Sequence, residues 1–324
     1  MEIFFPNSAF LGNIESFLSR LNTENKSILN VSFNQKWVSV HPVVLCMAAA
    51  ISLAIRQGGA HVDTSVFKTT AKSLPYFIRM KLFDFLRVKP ESYVSEHEST
   101  GRFIPLSQIN NASELTKFIA DVIPLLHLSP QEAEPIRYVL SEVTRNVFEH
   151  SNSSIGAIVC AQYFKKSNKI SLGVVDYGMG IKKSINTSHP ANSDLEAIKL
   201  ALYPGVTGTT TRIGGTEFNA GAGLFFTKSI AKVNRNFFMI YSGNAMYKLK
   251  KTPARKEIVL YSDSTKDPCF LKDDLPYWQG TVVGIDISLD INEPFSVLLS
   301  KLRKAYSLDV KKRRKEKYKK AIFI

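Results

Sequence analysis

Apolar and polar positions along the chain switch between a two-residue and a three-to-four-residue period, and those switches mark out strands and helices. ILNVSF, Ile28–Phe33, is rich in branched and aromatic residues and predicts a strand. HPVVLCMAAAISLAIRQGG then predicts a helix from Pro42 to the Gly58–Gly59 pair, with proline just inside its start and glycine just past its end. Its apolar stretch, Val43–Ile55, is too short to span a bilayer and predicts a buried helix. AHVDTS predicts a short strand, and SLPYFIRMKLFDFL, Ser73–Leu86, another helix. This β-α-β-α order predicts a small α/β layer structure. The polar segment Lys89–Arg102 predicts a linker.

Beyond the linker a helix is expected around Ser113–His127, and a second after the capping pair Ser129–Pro130. Two strands follow, Ser154–Phe164 and Lys169–Tyr177, then a helix around Ser193–Tyr203 and a loop rich in Gly and Thr. GLFFTKSIAKV, Gly223–Val233, predicts a helix, and Gly243–Asn244 the turn of a hairpin. Gly280–Leu289 has the branched residues of a last core strand. There is no internal repeat.

Composition changes this picture little. At 324 residues, with 44% hydrophobic and 22% charged residues, the chain suits two modest domains. The second residue is acidic and no basic leader precedes an apolar core, so neither a secretory signal nor a membrane span is expected, and a cytoplasmic protein is. Cys46, Cys160 and Cys269 lie far apart with no CxxC pair, which argues against a disulfide framework or a zinc site. The net charge of +14 is concentrated: Lys301–Lys320 holds eleven Lys/Arg against Asp309 and Glu316, a net of +9. That segment is expected to be a solvated helix end or a disordered arm, or else an arm for nucleic acid or another anionic surface.

Three stretches carry candidate chemistry. In LSEVTRNVFEH, Glu142, Asn146 and His150 recur every four residues and line one helix face beside the apolar Val139, Val143 and Val147. Any surface helix has such a wet side, so the spacing alone fits that reading too. In VVDYGMGI, Asp176 ends an apolar strand and is followed by Gly178 and Gly180. An acid there can accept a hydrogen bond from an exocyclic amine, and the glycines admit a flat ligand; an ordinary strand exit has the same pattern. In NAGAGLFFTKSIAK, Gly221 and Gly223 run straight into a helix, whose free N–H groups suit phosphate, or whose glycines serve close packing. This is neither a dinucleotide fingerprint nor a P-loop, and no GxSxG or HExxH occurs.

In sequence, ExxxNxxxH, DxGxG, a Gly/Thr loop, GxGL and a late Gly-Thr together resemble the GHKL or Bergerat ATP-binding fold over about Asn111–Leu289. SEVTRNVFEHS is most similar to the corresponding helix of the anti-sigma-factor serine kinases. The resemblance implies an α/β fold, a two-layer α+β sandwich with a mixed sheet and helices on one face, over residues 105–290. Residues 1–100 resemble, less specifically, the STAS-type fold of anti-sigma-factor antagonists, and 291–324 would be the basic helix or tail.

The resemblance further implies ATP and Mg²⁺. Asn146 would hold the metal, and Glu142 would orient or deprotonate the attacking water or hydroxyl and contact the metal through water. Asp176 would receive the adenine amino group with Gly178 and Gly180 giving the base room, and Thr281 would lie near the adenine. Gly221, Gly223 and Leu224 would face the phosphates. Lys182–Ala220 would be a lid, with Thr207, Thr209, Thr210, Thr211 and Arg212 as candidates to reach the terminal phosphate. Tyr177 and Phe225 depart from the family pattern, and His150 is expected to be structural. The implied role is a nucleotide-dependent switch acting on a regulatory protein partner or as a homodimer. Serine/threonine kinase, non-catalytic ATP-gated module and nucleic-acid-associated ATPase are the alternatives.

Overall fold

The computed structural model describes residues 1–24, 27–63, 72–89, 103–214, 221–290 and 293–318. Most of the expected linker, 90–102, and the lid residues 215–220 lie outside the described residues. The fold is mixed α/β.

The N-terminal part runs β1 (Glu2–Phe5), β2 (Ser8–Ala9), α1 (Glu15–Leu18), β3 (Ile28–Phe33), β4 (Ser39–Val40), α2 (Pro42–Gln57), β5 (His61–Asp63), α3 (Leu74–Arg79) and α4 (Leu82–Leu86). Strands β1, β3 and β5 form a parallel sheet, and β2 pairs with β4. Helix α2 starts where its sequence signals place it, with His41 as cap: its Nδ1 accepts the Val43 N–H at 3.1 Å. The helix expected over Ser73–Leu86 is two short ones, because Lys81 takes a left-handed φ of 60° between them.

The remainder runs β6 (Phe103–Ile109), α5 (Ala112–Val122), α6 (Pro130–Asn146), β7 (Ala157–Phe164), β8 (Lys169–Asp176), α7 (Gly180–Ile185), α8 (Asp194–Ala201) and α9 (Gly223–Val233). It continues through β9 (Phe238–Gly243), β10 (Ala245–Leu249), β11 (Cys269–Lys272) and β12 (Trp278–Ser288) to α10 (Phe295–Tyr318). Seven strands make one sheet in the order β11-β10-β9-β12-β8-β7-β6. Every pairing in it is antiparallel, where the resemblance implies a mixed sheet, because β12 returns from the end of the chain to insert between β8 and β9. Strand β6 was not expected from sequence. It is an edge strand whose register shifts between Ile104 and Ser107, around Pro105, and an edge tolerates a proline there.

The two faces of the large sheet feed two cores. Val159, Val174 and Val283 face α6 and α9, whereas Ile158, Cys160 and Val175 face α2. Helices therefore do not cover one face only. Helix α2 is sandwiched between the small parallel sheet and the large antiparallel one, giving a third layer. Its composition requires this, since a helix buried nearly all round needs cover on both sides. Gly173 and Gly284 face each other across β8 and β12, and a Cβ on Gly173 would come 2.6 Å from the Val43 Cα. Beneath the start of α2, buried Asp286 meets Lys169 Nζ at 2.8 Å, the Ser171 hydroxyl, and His41 Nε2 at 3.4 Å. Burial pushes the Asp286 carboxyl up, but His41 and Lys169 outweigh it and hold the group at about 2.

Two of the cysteines meet across the same seam. Cys46 on α2 and Cys160 on β7 are 114 positions apart, yet their sulfurs lie 3.4 Å apart as buried free thiols. Sequence separation says nothing about a contact made between layers.

The basic C-terminal segment is helical over its described length and packed along one face up to Val310, beyond which its lysines are exposed, as for a solvated helix end. Leu298, Leu302 and Val310 of α10 are buried, and Tyr306 meets Phe226 edge-on at 5.9 Å. Phe295 packs on Tyr138 in the same manner at 5.7 Å. One face of α10 is thus part of the α6–α9 core. Among the described residues, no helix is long and apolar enough to cross a membrane.

Candidate functional site

A cavity of about 330 Å³ opens between α6, the end of β8, α7, the 206–208 loop, the start of α9 and α10. The helix α6 carries one wall. It begins with a reciprocal cap, Ser129 N–H donating to Glu132 Oε2 at 2.8 Å and Glu132 N–H to Ser129 Oγ at 3.3 Å. It ends at Asn146 and continues as a single π turn, Val147–Ser151. Glu142 and Asn146 line the cavity, and so does His150, though the wider turn takes it off a regular α-helical face. Burial lowers the affinity of the His150 ring for a proton.

Asp176 forms the floor. It is buried at the last residue of β8, and its carboxylate accepts the Gly178 N–H at 2.8 Å, while the neighbouring N–H and hydroxyl of Thr281 also favour its charged form. Burial nevertheless dominates and raises the carboxyl to about 7. Gly280, the glycine of the Gly-Thr signal, completes this shell. Its φ is +100°, and a Cβ there would lie 2.4 Å from the Asp176 carbonyl oxygen and 2.7 Å from a carboxylate oxygen. Gly180 lines the cavity. Gly178 does not; a Cβ on it would strike the Ser151 carbonyl oxygen at 2.1 Å, so its small size serves contact with the π turn.

The second glycine site meets the first wall. Gly223 opens α9, and a Cβ there would lie 2.7 Å from Glu142 Oε2 and 3.7 Å from Asn146 Nδ2. The missing side chain thus lets the N-terminus of α9 approach the two polar residues of α6. Gly221 and Leu224 line the same space. Arg145 Nη2 holds Glu142 Oε1 at 2.8 Å, and its Nε lies 3.4 Å from Glu149 Oε1. Burial pushes the Glu142 carboxyl up, and the Arg145 charge pulls it back only in part.

The loop between α8 and α9 divides. Thr207 and Gly208 line the cavity, and Thr207 bridges to Thr210 in a tight turn with Thr209 Oγ1 3.2 Å from its hydroxyl. Thr209, Thr210, Thr211 and Arg212 do not reach the cavity; Arg212 donates its backbone N–H to Thr210 Oγ1. The guanidinium-bearing residues of the lining are instead Arg145 and Arg303, the latter on α10. Arg145 could have been noticed beside Asn146. Arg303 had no local signal, because only the docking of α10 brings it here.

Helix α10 also fastens the loop. The Arg313 guanidinium donates to the Pro204 carbonyl and pairs with Asp309 at 2.7 Å, and Arg314 Nε donates to the Ile213 carbonyl at 2.8 Å. The loop's two ends are joined in turn, with the Gly205 N–H donating to the Gly221 carbonyl at 2.9 Å.

Among the described residues, no group of three or more His, Cys, Asp or Glu side chains could cage a metal ion. Glu142 and Asn146 offer one carboxylate and one amide on a single wall of the cavity. That set suits a hard cation sharing its coordination with a bound phosphate and water, and does not suit an all-protein cage. No protein-family model matches the chain, and no curated protein matches it.

Proposed function

We propose that the chain is a Mg²⁺-ATP-binding protein of the GHKL or Bergerat type that acts as a nucleotide-dependent switch toward a protein partner. The observation that carries this reading is convergence. Glu142–Asn146, Asp176 with Thr281, and Gly221–Leu224 are remote in sequence and line one cavity. In this reading Asp176 and Thr281 mark the base end of the cavity and the start of α9 its phosphate end. Asp176 and Thr281 would hold the adenine edge, and the amides at the start of α9 would face phosphate. Asn146, with Glu142 through water, would hold Mg²⁺, which neutralises phosphate charge when bound. Glu142, with its raised carboxyl, is suited to take a proton from the attacking water or hydroxyl. Arg145 and Arg303 supply the positive charge assigned to Arg212 from sequence. The N-terminal layer is read as a STAS-like regulatory module, and its seam with the sheet gives it a direct mechanical connection to β8, the strand bearing Asp176.

Titration calorimetry with Mg-ATP tests the reading. Wild type is expected to bind, Asp176→Ala to lose binding, and Glu142→Gln to bind without turnover. Failure of wild type to bind, or equal binding by Asp176→Ala, would overturn it. Incubation with labelled ATP separates the two catalytic readings: label on the protein or a partner's hydroxyl favours a kinase, free phosphate alone an ATPase.

A further inference from the structure

Helix α10 has two faces of different chemistry, and the ATP reading uses only one. The inner face carries the buried Leu302 and Val310 and the two arginines fastened to the loop carbonyls. At 3.6 residues per turn, Lys304, Leu308, Lys311, Lys312 and Lys315 fall within an arc of about 100° on the opposite side. All five are exposed. The four lysines make no ion pair with a described residue, and no acid falls within their arc; Asp309 is turned inward to Arg313, and the exposed Glu316 lies about 40° beyond the edge of the arc. The stripe from Lys304 to Lys315 is about 17 Å long at 1.5 Å per residue.

From this we infer that the outer face of α10 docks on the phosphate backbone of a nucleic-acid duplex. Charge complementarity selects the occupant, and the rest of the face narrows it. A helix that lies in a lipid surface carries an apolar side to bury, and this face offers only Leu308. Single-stranded nucleic acid is held largely by aromatic stacking, and no aromatic side chain falls in the stripe. What remains is a rigid row of ammonium groups on a helix whose inner side is anchored in the protein core. Such a row reads phosphate charge and not base sequence. The docked duplex would lie on the far side of α10 from the cavity, so the docking does not depend on what the cavity binds.

Four phosphate contacts on a duplex predict a slope of log K against log salt of about −3.6, hence an affinity loss of about 150-fold between 50 and 200 mM salt. The experiment is fluorescence anisotropy of the full chain with a labelled 30-base-pair DNA duplex over that salt range, with a duplex RNA of the same length alongside. The comparison variant is K304Q/K311Q/K312Q/K315Q. Wild type is expected to bind both duplexes with the stated slope, and the variant to lose at least tenfold in affinity at 50 mM salt and most of the slope. The double variant K311E/K312E gives the same reading should the quadruple variant melt earlier than wild type in circular dichroism. No binding by wild type at 50 mM salt, or an unchanged slope in the folded variants, would overturn the inference. So would tighter binding to the single strand, or binding to phosphatidylserine vesicles or an acidic protein with none to the duplexes.

Discussion

Asp176→Asn puts the central residue of the site to a test that needs no ligand. Burial holds the Asp176 carboxyl at about 7 in the folded chain, against about 3.9 in an unfolded one. A carboxyl raised on folding binds more protons in the native state than in the unfolded state between those values. Its contribution to stability is therefore complete below about pH 4 and is lost as pH rises toward 7. From pH 5 to pH 8 the loss comes to about 2–3 kcal/mol, with 1.36 kcal/mol per pKa unit. Asparagine keeps the shape and an oxygen able to accept the Gly178 and Thr281 donors, but cannot ionise. The assay is urea denaturation of both proteins at pH 5 and pH 8. The wild-type minus variant stability should fall by about 2–3 kcal/mol between the two, with the variant equal or superior at pH 8. Titrations elsewhere cancel in this difference. A difference independent of pH would refute the argument that a carboxylate is being held in an unfavourable place. Under the ATP reading, the same variant should also bind nucleotide more weakly than wild type.

Two further outcomes follow from contacts outside the cavity. Arg313→Ala with Arg314→Ala removes two charged hydrogen bonds from the Pro204 and Ile213 carbonyls, on partly exposed side chains together worth about 1–2 kcal/mol. Amide exchange at Gly205 and Gly214 should quicken roughly tenfold by mass-spectrometric hydrogen exchange, and unchanged exchange would mean that α10 does not hold the loop. Asp286, held at about 2, stabilises the fold above about pH 4 and loses that contribution as pH falls toward 2. Asp286→Asn should thus flatten the acid limb of the stability curve by about 2 kcal/mol, and an acid limb identical to wild type would show that the His41–Lys169 cluster does not anchor α2.

Local signals were sufficient for elements that a few neighbouring residues decide. Ile28–Phe33, Pro42–Gln57 and Gly223–Val233 begin and end where alternation, Pro and Gly place them. Periodicity runs one helix over Ser73–Leu86, since nothing in it announces a left-handed Lys81. Strand β6 was hidden by Pro105, which only an edge position makes acceptable. The Glu142–Asn146 spacing and the two glycine sites were visible as separate patterns, each compatible with ordinary packing.

The sequence by itself determined the periodic elements, their caps and the small set of polar and glycine residues from which a site could be built. Tertiary structure alone decided which of these meet: Gly223 against Glu142, Gly280 against Asp176, Cys46 against Cys160, and Arg303 in place of Arg212 at the cavity. The physical reason lies in the range of the forces. Caps, turns and amphipathic faces are set by atoms a few residues apart and leave their mark in local order. The pairing of faces is set by the burial of apolar surface, which is non-directional and indifferent to distance along the chain. The basic tail illustrates both: its charge was evident from composition, but only the apolar face of α10, laid against Tyr138 and Phe226, decided which cations turn inward and which remain outside.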